Sequence, residues 1–197
     1  MGITPIYSIP FADPTDLVRD WPALSEDVAE AVEAAVAGVP VLAGIGSNVV
    51  QTVKTDTFTS TSGSFVEVTG LTATITPSSD TSKVLVVVQL TIGFGSNAGI
   101  GHFKVTGGNT ASYVGDADGS RVPAVFGGAL ETDARSQTLA ASIVFLDAPS
   151  SASPVTYSVE TRQAGSGTVM VNRSTFDNNN DGFTRGASSI TVIEVAA

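Results

Sequence analysis

Residues 65–93, FVEVTGLTATITPSSDTSKVLVVVQLTIG, decide the fold class of this chain. The segment SFVEVTG alternates apolar and polar residues, which is typical of a β-strand with one face in a core and one in solvent. The segment KVLVVVQL is apolar at nearly every position, as expected of a strand at the centre of a sandwich or against a neighbouring subunit. The stretch therefore predicts consecutive β-strands joined by short turns.

The same pattern continues through the chain from residue 48 onward. The strand candidates, separated by Gly, Asn, Asp, Ser and Pro turns, are NVVQTVKTDTF, SFVEVTG, LTATITP, KVLVVVQLTIGF, GHFKVTGG, TASYVG, RVPAVFGG, QTLAASIVFLDAP, PVTYSVETRQA, TVMVN and SITVIEV. About ten short strands at this spacing predict a mainly β fold, an antiparallel jelly-roll-like β-sandwich over residues 49–197. The spacing does not predict the order of the strands.

Residues 1–22 predict an extended, Pro-rich anchoring arm. Proline removes a backbone donor and favours extended conformations, so neither a regular helix nor a central strand is expected here. The arm nevertheless carries large apolar side chains, and such clusters mark interfaces when they are exposed. The alternative is an arm that packs on its own domain. The predicted docking residues are Ile3, Ile6, Tyr7, Ile9, Phe11 and Trp21.

Residues 23–38 predict a short, acidic, amphipathic helix, followed by a Gly-rich connector over residues 39–48. Asp20 or Ser25 can cap the helix, and Gly38 with Pro40 ends it. Apolar residues at spacings of three and four form a seam, which packs either on the β-domain or on copies of the same helix around a symmetry axis. The seam residues are Leu24, Val28, Ala31 and Ala35.

Composition excludes several classes of partner and site. The net charge of −10 argues against a nucleic-acid or anionic-membrane partner, and seven of the 19 acidic residues lie within residues 1–38. No apolar run is long enough to cross a bilayer. The chain contains no cysteine, so disulfides, thiolate metal sites and a cysteine nucleophile are all excluded. We expect no cofactor and no membrane insertion.

Three features suggest chemistry, and each has a simpler interpretation. Asp177, Asn179 and Asp181 match the first half of a calcium-binding loop, but Ser188 occupies the position of its closing glutamate. A turn is therefore favoured, and whether the loop binds an ion is left as an alternative. The acids of GDADGSR lie in an Asp-Gly turn without convergent geometry. His102 is the only histidine and is expected to be a structural residue on a strand. We predict no metal site, no catalytic residue and no enzyme activity.

The order of the predicted segments along the chain resembles that of a known class of protein. A Pro-rich start (GITPIYSIPFADPTD), an acidic Ala-rich helix (WPALSEDVAEAVEAAV) and a Ser/Thr/Gly-rich β-domain follow one another. This order is similar to that of short minor tail or tail-fibre proteins of tailed bacteriophages, particularly those infecting actinobacteria. Within the β-domain the likeness lies in FVEVTGLTATITPSSDTSKVLVVVQLTIG (65–93), YVGDADGSR (113–121) and RGASSITVIEV (185–195).

The resemblance implies a non-enzymatic virion protein, a homotrimer docked on other virion structural proteins by its N-terminal segment. Its β-domain would face outward toward a host-surface glycan or neighbouring virion proteins. A capsid head fibre or decoration protein is the first alternative, and a carbohydrate-binding module is the second. The residues expected in surface-contact loops are Tyr113, Asp116, Asp118, Phe176, Asn179 and Phe183.

Overall fold

The computed structural model describes residues 28–32, 48–95, 100–129 and 136–196. The chain divides into two compact units, Met1–Ala43 and Gly44–Ala197. In the first unit, residues 28–32 are helical. The predicted arm, most of the predicted helix and residues 39–47 of the connector lie outside the described residues, so those predictions stay predictions.

In its described residues, the second unit contains ten β-strands and one short 3-10 helix, Thr110–Tyr113. The strands are β1 (Val49–Lys54), β2 (Phe58–Ser60), β3 (Val66–Ile75), β4 (Lys83–Gly95), β5 (Ile100–Thr106), β6 (Phe126–Ala129), β7 (Leu139–Asp147), β8 (Val155–Ala164), β9 (Thr168–Val171) and β10 (Ser188–Val195).

The strands form two antiparallel sheets in the order of a jelly roll. The six-stranded sheet contains β1, β10, β4, β7, β9 and β2, with β4 pairing β10 and β9 on one edge and β7 on the other. The four-stranded sheet has the order β3-β8-β5-β6. If β1 with β2, and β9 with β10, are each counted as one interrupted strand, eight strands pair first with last, second with seventh, third with sixth and fourth with fifth. The predicted jelly-roll sandwich is therefore confirmed.

The core lies between the two sheets and is built from alternate residues of each strand. In β4 the inward residues Val84, Val86 and Val88 are fully buried. In β10 the burial alternates strictly from residue to residue, as the sequence predicts for SITVIEV. Phe103 and Tyr157 are the largest fully buried side chains and fill the space on the four-stranded side. Such alternation pins the register, because a slip by one residue would expose the whole inward set.

The structure corrects the strand predictions in two places. TASYVG is not a strand: Thr110–Tyr113 forms a 3-10 helix with Asn109 at its N-cap position, which follows Gly107 and Gly108, both of which have positive φ. A chain that turns this sharply cannot continue along a sheet, and glycine adopts such angles without strain. SFVEVTG and LTATITP are one strand, β3, rather than two, because its register shifts by an irregularity between Glu67 and Thr72 without ending the pairing.

Asn172 joins the two interrupted strands. Its backbone N–H donates to the Thr91 carbonyl at 2.8 Å, and its own carbonyl accepts from the Gly186 N–H at 3.0 Å, which closes the excursion between β9 and β10. Its side-chain amide donates to the carbonyls of Lys54 and Asp56 at 2.8 and 2.9 Å, across the break between β1 and β2. Its Oδ1 accepts from the Ser188 hydroxyl at 2.6 Å. The residue is fully buried with φ of 66°, a conformation that asparagine tolerates better than most residues.

Two buried carboxylates hold connecting loops onto the sandwich. Asp147, at the end of β7, accepts from the Tyr157 hydroxyl at 2.7 Å and from the Asn109 N–H at 3.2 Å. Burial and the neighbouring Asp147 carboxylate raise the pKa of the Tyr157 hydroxyl, so it stays a donor. Glu194, near the end of β10, accepts from the Ser78 N–H at 2.7 Å and from its hydroxyl. Both acids are buried and hydrogen-bonded, which offsets the cost of taking a polar group out of water.

Candidate contact surfaces

The outer face of the six-stranded sheet carries no charged side chain across three rows of residues. The first row is Val49, Ile193, Leu85 and Leu146, which lie directly opposite one another on β1, β10, β4 and β7. The second row is Gln51, Thr191, Val87 and Val144, and the third is Val53, Ser189, Gln89 and Ser142. We call these twelve residues the uncharged face.

The uncharged face is partly aliphatic and partly hydroxyl or amide. Val49, Val53 and Val144 are 51, 54 and 59% exposed. Four of its five polar members bond in pairs: the Gln51 amide donates to Thr191 Oγ1, and the Gln89 amide donates to Ser142 Oγ, each at 2.8 Å. The polar groups therefore do not depend on solvent alone, and the exposed aliphatic residues between them make this face a candidate site of interaction.

The outer face of the four-stranded sheet has the opposite character. Most of its side chains are hydroxyls and charges, with the exposed Ile100 as an apolar exception, and Lys104 pairs with Glu160 at 3.1 Å between neighbouring strands. Thr74 and Thr156 share a hydrogen bond of 2.7 Å. An antiparallel sandwich normally presents polar residues to water on its outer faces. The contrast singles out the uncharged face as the one whose composition resembles an interface rather than a solvated surface.

The excursion between β9 and β10, residues 172–187, is a structured loop. Arg173 and Arg185 pair as an isolated antiparallel bridge at its base. Asp177 accepts from Arg185 Nε at 2.6 Å and from Arg173 Nη1 at 3.1 Å. The rings of Phe176 and Phe183 meet edge to face with centroids 6.3 Å apart, and Phe176 is 42% exposed. We call residues 172–187 the β9–β10 loop.

The geometry of the β9–β10 loop bears on both sequence-based interpretations of this segment, the turn and the calcium site. The Phe183 N–H bonds to the Asn180 carbonyl and the Gly182 N–H bonds to Asn180 Oδ1, so the predicted turn is confirmed at Asn180–Phe183. The turn is one part of a longer excursion that the sequence does not predict. Both oxygens of Asp177 accept from arginine side chains, so the first residue of the calcium-like pattern already has cationic partners.

The other sequence-predicted surface residues have different environments. Tyr113 is not a free platform, because its ring stacks on Phe145 at 4.6 Å and its hydroxyl donates to the Leu146 carbonyl at 2.6 Å. Asp116 and Asp118 are exposed, and the Arg121 N–H bonds to the Asp118 carbonyl at 3.1 Å in the predicted Asp-Gly turn. Asn179 is exposed in the β9–β10 loop.

The predicted docking and seam residues are mostly outside the described part of the chain. Ile3, Ile6, Tyr7, Ile9, Phe11, Trp21, Leu24 and Ala35 belong to that group. Val28 and Ala31 lie in the helical residues 28–32 and are half-buried, whereas Ala29 and Glu30 are exposed. The docking and seam assignments stay predictions.

Titratable groups give no sign of a shared metal site in the described residues. No three His, Asp or Glu side chains there are placed to hold one metal ion. His102 lies on β5, opposite Arg162 of β8. Burial, and then the Arg162 charge, lower the pKa of the His102 imidazole. In the described segments, no helix is long and apolar enough to cross a bilayer.

Sequence reasoning missed a groove beside β5. Its volume is about 440 Å³, and its lining includes Phe65, Lys104, Gly108, Thr110 and Pro123. The Lys104 ammonium lies 4.4 Å from the centre of the Phe65 ring and also pairs with Glu160, so its charge is already balanced. The groove is lined by segments that are far apart in sequence, so no local sequence pattern predicts it.

Comparisons with known proteins give little information about the family or function of this chain. No protein-family model matches its sequence, and no curated protein matches it. Among solved structures, it is similar to the structure of infectious bursal disease virus Gx strain, with a TM-score of 0.31 and 17% sequence identity. That match covers 78% of this chain, which spans 40% of the length of the other.

Proposed function

We propose that this chain is a bacteriophage virion structural protein, a trimeric minor tail or short tail-fibre protein without enzyme activity. Its N-terminal segment docks it on other virion proteins, and its jelly roll points outward. The observation that carries the proposal is the uncharged face. An acidic protein that keeps three rows of one sheet free of charge has a surface suited to lie against protein.

The β9–β10 loop supports the outward role of the β-domain. Contact residues are commonly loops held by a rigid scaffold, and this loop is fixed at its base by Asn172 and internally by Asp177. Phe176, Asn178 and Asn179 are all exposed in this loop. An aromatic ring and planar amides exposed in one loop suit a hydroxylated partner such as a cell-surface glycan, because the ring packs on C–H faces and the amides bond hydroxyls.

Light scattering on the purified full-length chain tests the trimer. We expect the mass of three chains, because the predicted helix seam and the uncharged face both need partners. A matched pair of variants makes the result specific: Val28→Asp in the seam is expected to reduce the trimer, and Ala29→Asp on the exposed side of the helix is not. A monomeric mass for the wild-type chain at all concentrations would contradict the trimer.

Immunogold labelling of assembled particles tests the place of the chain in the virion. An antibody raised against the purified chain is expected to label the tail. Labelling of the head instead would favour the head-fibre or decoration alternative. Particles that contain no labelled component at all would argue against any virion role.

A further inference from the structure

We infer that Arg162 and His102, on the outer face of the four-stranded sheet, bind the carboxylate of a small hydroxylated acid, a sugar acid such as a hexuronate. This site goes beyond the proposed function and does not depend on the trimer or on a place in a virion. Three observations carry it: an arginine without a counter-ion, two nitrogen atoms without hydrogen-bond partners, and space for a ligand beside them.

Arg162 differs from the other arginines of the described residues. Each of the other three pairs with an aspartate, whereas the half-buried Arg162 has no ion-pair partner among those residues. The one acid of its own strand, Glu160, already pairs with Lys104 at 3.1 Å. In a chain with a net charge of −10, an arginine left without a carboxylate is the exception, and its guanidinium offers a forked set of donors to an anion.

Two neighbouring nitrogen atoms at this position lack hydrogen-bond partners. They are Arg162 Nε and His102 Nδ1, and both are buried. The two residues lie directly opposite each other on β8 and β5, and they face outward because Thr161 and Phe103 beside them face the core. A buried donor without a partner costs free energy, and such an atom calls for an explanation such as a bound water or ion. One carboxylate between the two side chains supplies an acceptor oxygen to each.

The flank of the site on β6 is open. Gly127 lies directly opposite His102 on that strand, so no β6 side chain covers the imidazole there. A Cβ atom at Gly127 would lie 3.1 Å from His102 Cδ2, so even alanine would crowd the ring. The Arg162 guanidinium is not fully buried at its terminal nitrogens, which leaves it accessible to a carboxylate from this outer face.

The groove beside β5 provides room for the rest of the ligand. Lys104, which lines the groove, is the diagonal neighbour of Arg162 across the β5–β8 pair, and such neighbours are about 7–8 Å apart. A ring whose carboxylate lies on Arg162 therefore extends toward the groove. The groove also presents the Phe65 ring and the hydroxyls of Thr106 and Thr110. An aromatic ring and a few hydroxyls suit a sugar, and the volume of about 440 Å³ lies within the range of ligand pockets.

The local charge favours one carboxylate over a phosphate. Glu160 is the diagonal neighbour of His102, and Glu67 lies directly opposite Glu160 on β3. Lys104 pairs with Glu160, so the Glu67 carboxylate still repels anions that approach this face. A phosphate monoester carries a charge of about −1.5 to −2 at pH 7, whereas a sugar acid carries a single charge. The repulsion is therefore smaller for the sugar acid.

Proton NMR of the full-length chain tests the site, because His102 is the only histidine and its ring signals need no assignment. The probes are sodium glucuronate and its neutral counterpart, glucose. We expect a saturable shift of the imidazole signals with glucuronate and none with glucose. Arg162→Gln is expected to weaken glucuronate binding by about tenfold or more, because it removes charge-assisted hydrogen bonds. The control Arg121→Gln removes a paired, exposed arginine elsewhere and is expected to leave binding unchanged.

A pH series on the wild-type chain gives a second test that needs no substitution. A carboxylate beside His102 favours the protonated imidazole, so glucuronate is expected to raise the pKa of His102 and to bind severalfold more tightly at pH 5 than at pH 8. The charged groups of the described residues around the ring are Arg162 and Glu160 on β8 and Lys104 on β5, and β6 adds none. Binding that did not change with pH would place the carboxylate away from His102 and contradict the site.

The other outcomes contradict the site in distinct ways. Equal shifts with glucose and glucuronate would mean that the carboxylate is not recognised. Equal weakening by Arg162→Gln and Arg121→Gln would mean that only overall charge matters. Inorganic phosphate or acetate that bound as tightly as glucuronate would mean a general anion site without contacts to a sugar ring. Imidazole signals that moved at no glucuronate concentration would leave no site at all. None of these outcomes bears on the trimer or on the place of the chain in a virion.

Discussion

Replacing Asn172 with alanine is expected to lower the free energy of unfolding by roughly 4 kcal/mol, the largest effect of any single substitution outside the apolar core. Alanine removes both donors to the carbonyls of Lys54 and Asp56 and the acceptor for the Ser188 hydroxyl, and it leaves these groups without that partner. It must also adopt the φ of 66°, which costs about 1 kcal/mol or more for a residue other than Gly or Asn. Urea unfolding followed by circular dichroism measures the change.

Two companion substitutions separate the causes of that loss. Asn172→Gly relieves the backbone conformation but still lacks the amide, so it is expected to recover only the backbone part, about 1 kcal/mol. Asn179→Ala, at an exposed position in the same loop, is the control and is expected to change stability by less than about 0.5 kcal/mol. If Asn172→Ala proved no worse than Asn179→Ala, the amide would not be what joins the interrupted strands.

The role of Asn172 also shows where prediction from sequence ends. The strand TVMVN is correctly predicted, and so is the strand that follows the loop. Nothing near residue 172, however, indicates that its amide will lie across a break between β1 and β2, more than a hundred residues earlier. Local patterns report which face of a strand is buried, whereas long-range hydrogen bonds depend on which strands become neighbours.

The contact surfaces likewise combine features that local sequence predicts with features that depend on the strand order. The apolar run KVLVVVQL predicts a strand buried on both faces, and it is the central β4 with one face in the core and Leu85 and Val87 half-buried on the other. The sequence could not show that those residues align with Val49, Ile193 and Leu146, because that row follows from the strand order. The aromatic residues expected in contact loops have different environments because their neighbours come from distant parts of the sequence. Tyr113 stacks on Phe145, whereas Phe176 is exposed.

The second large effect is a loss of stability on replacing Glu194, and it depends on pH. We expect Glu194→Gln to lower the free energy of unfolding by about 3 kcal/mol at pH 7 and to have almost no effect below pH 2. The Ser78 hydroxyl and N–H, with Asn48, hold the pKa of the Glu194 carboxyl at about 2, below its usual value of 4.5. A depressed pKa means that the stabilisation is complete above pH 4.5 and is lost as the pH falls toward 2.

The physical origin of this effect is the closure of one end of the sandwich. Glu194 is 1% exposed, and its carboxylate fixes the turn between β3 and β4, which connects the two sheets. Its backbone N–H also bonds to the Asn48 carbonyl at the start of β1. Protonation removes the charge that these donors stabilise, so the turn is held less firmly in acid.

Urea unfolding of the wild type and of Glu194→Gln at a series of pH values from 7 down to 2 measures this dependence. The difference between the two proteins should shrink through the interval between pH 4.5 and 2, since only the wild type loses a charge at this position. Glu67→Gln makes the same chemical change on an exposed strand residue and is expected to alter stability by less than about 0.5 kcal/mol at pH 7. A difference between the wild type and Glu194→Gln that stayed constant across the whole series would mean that Glu194 acts through its shape, not its charge.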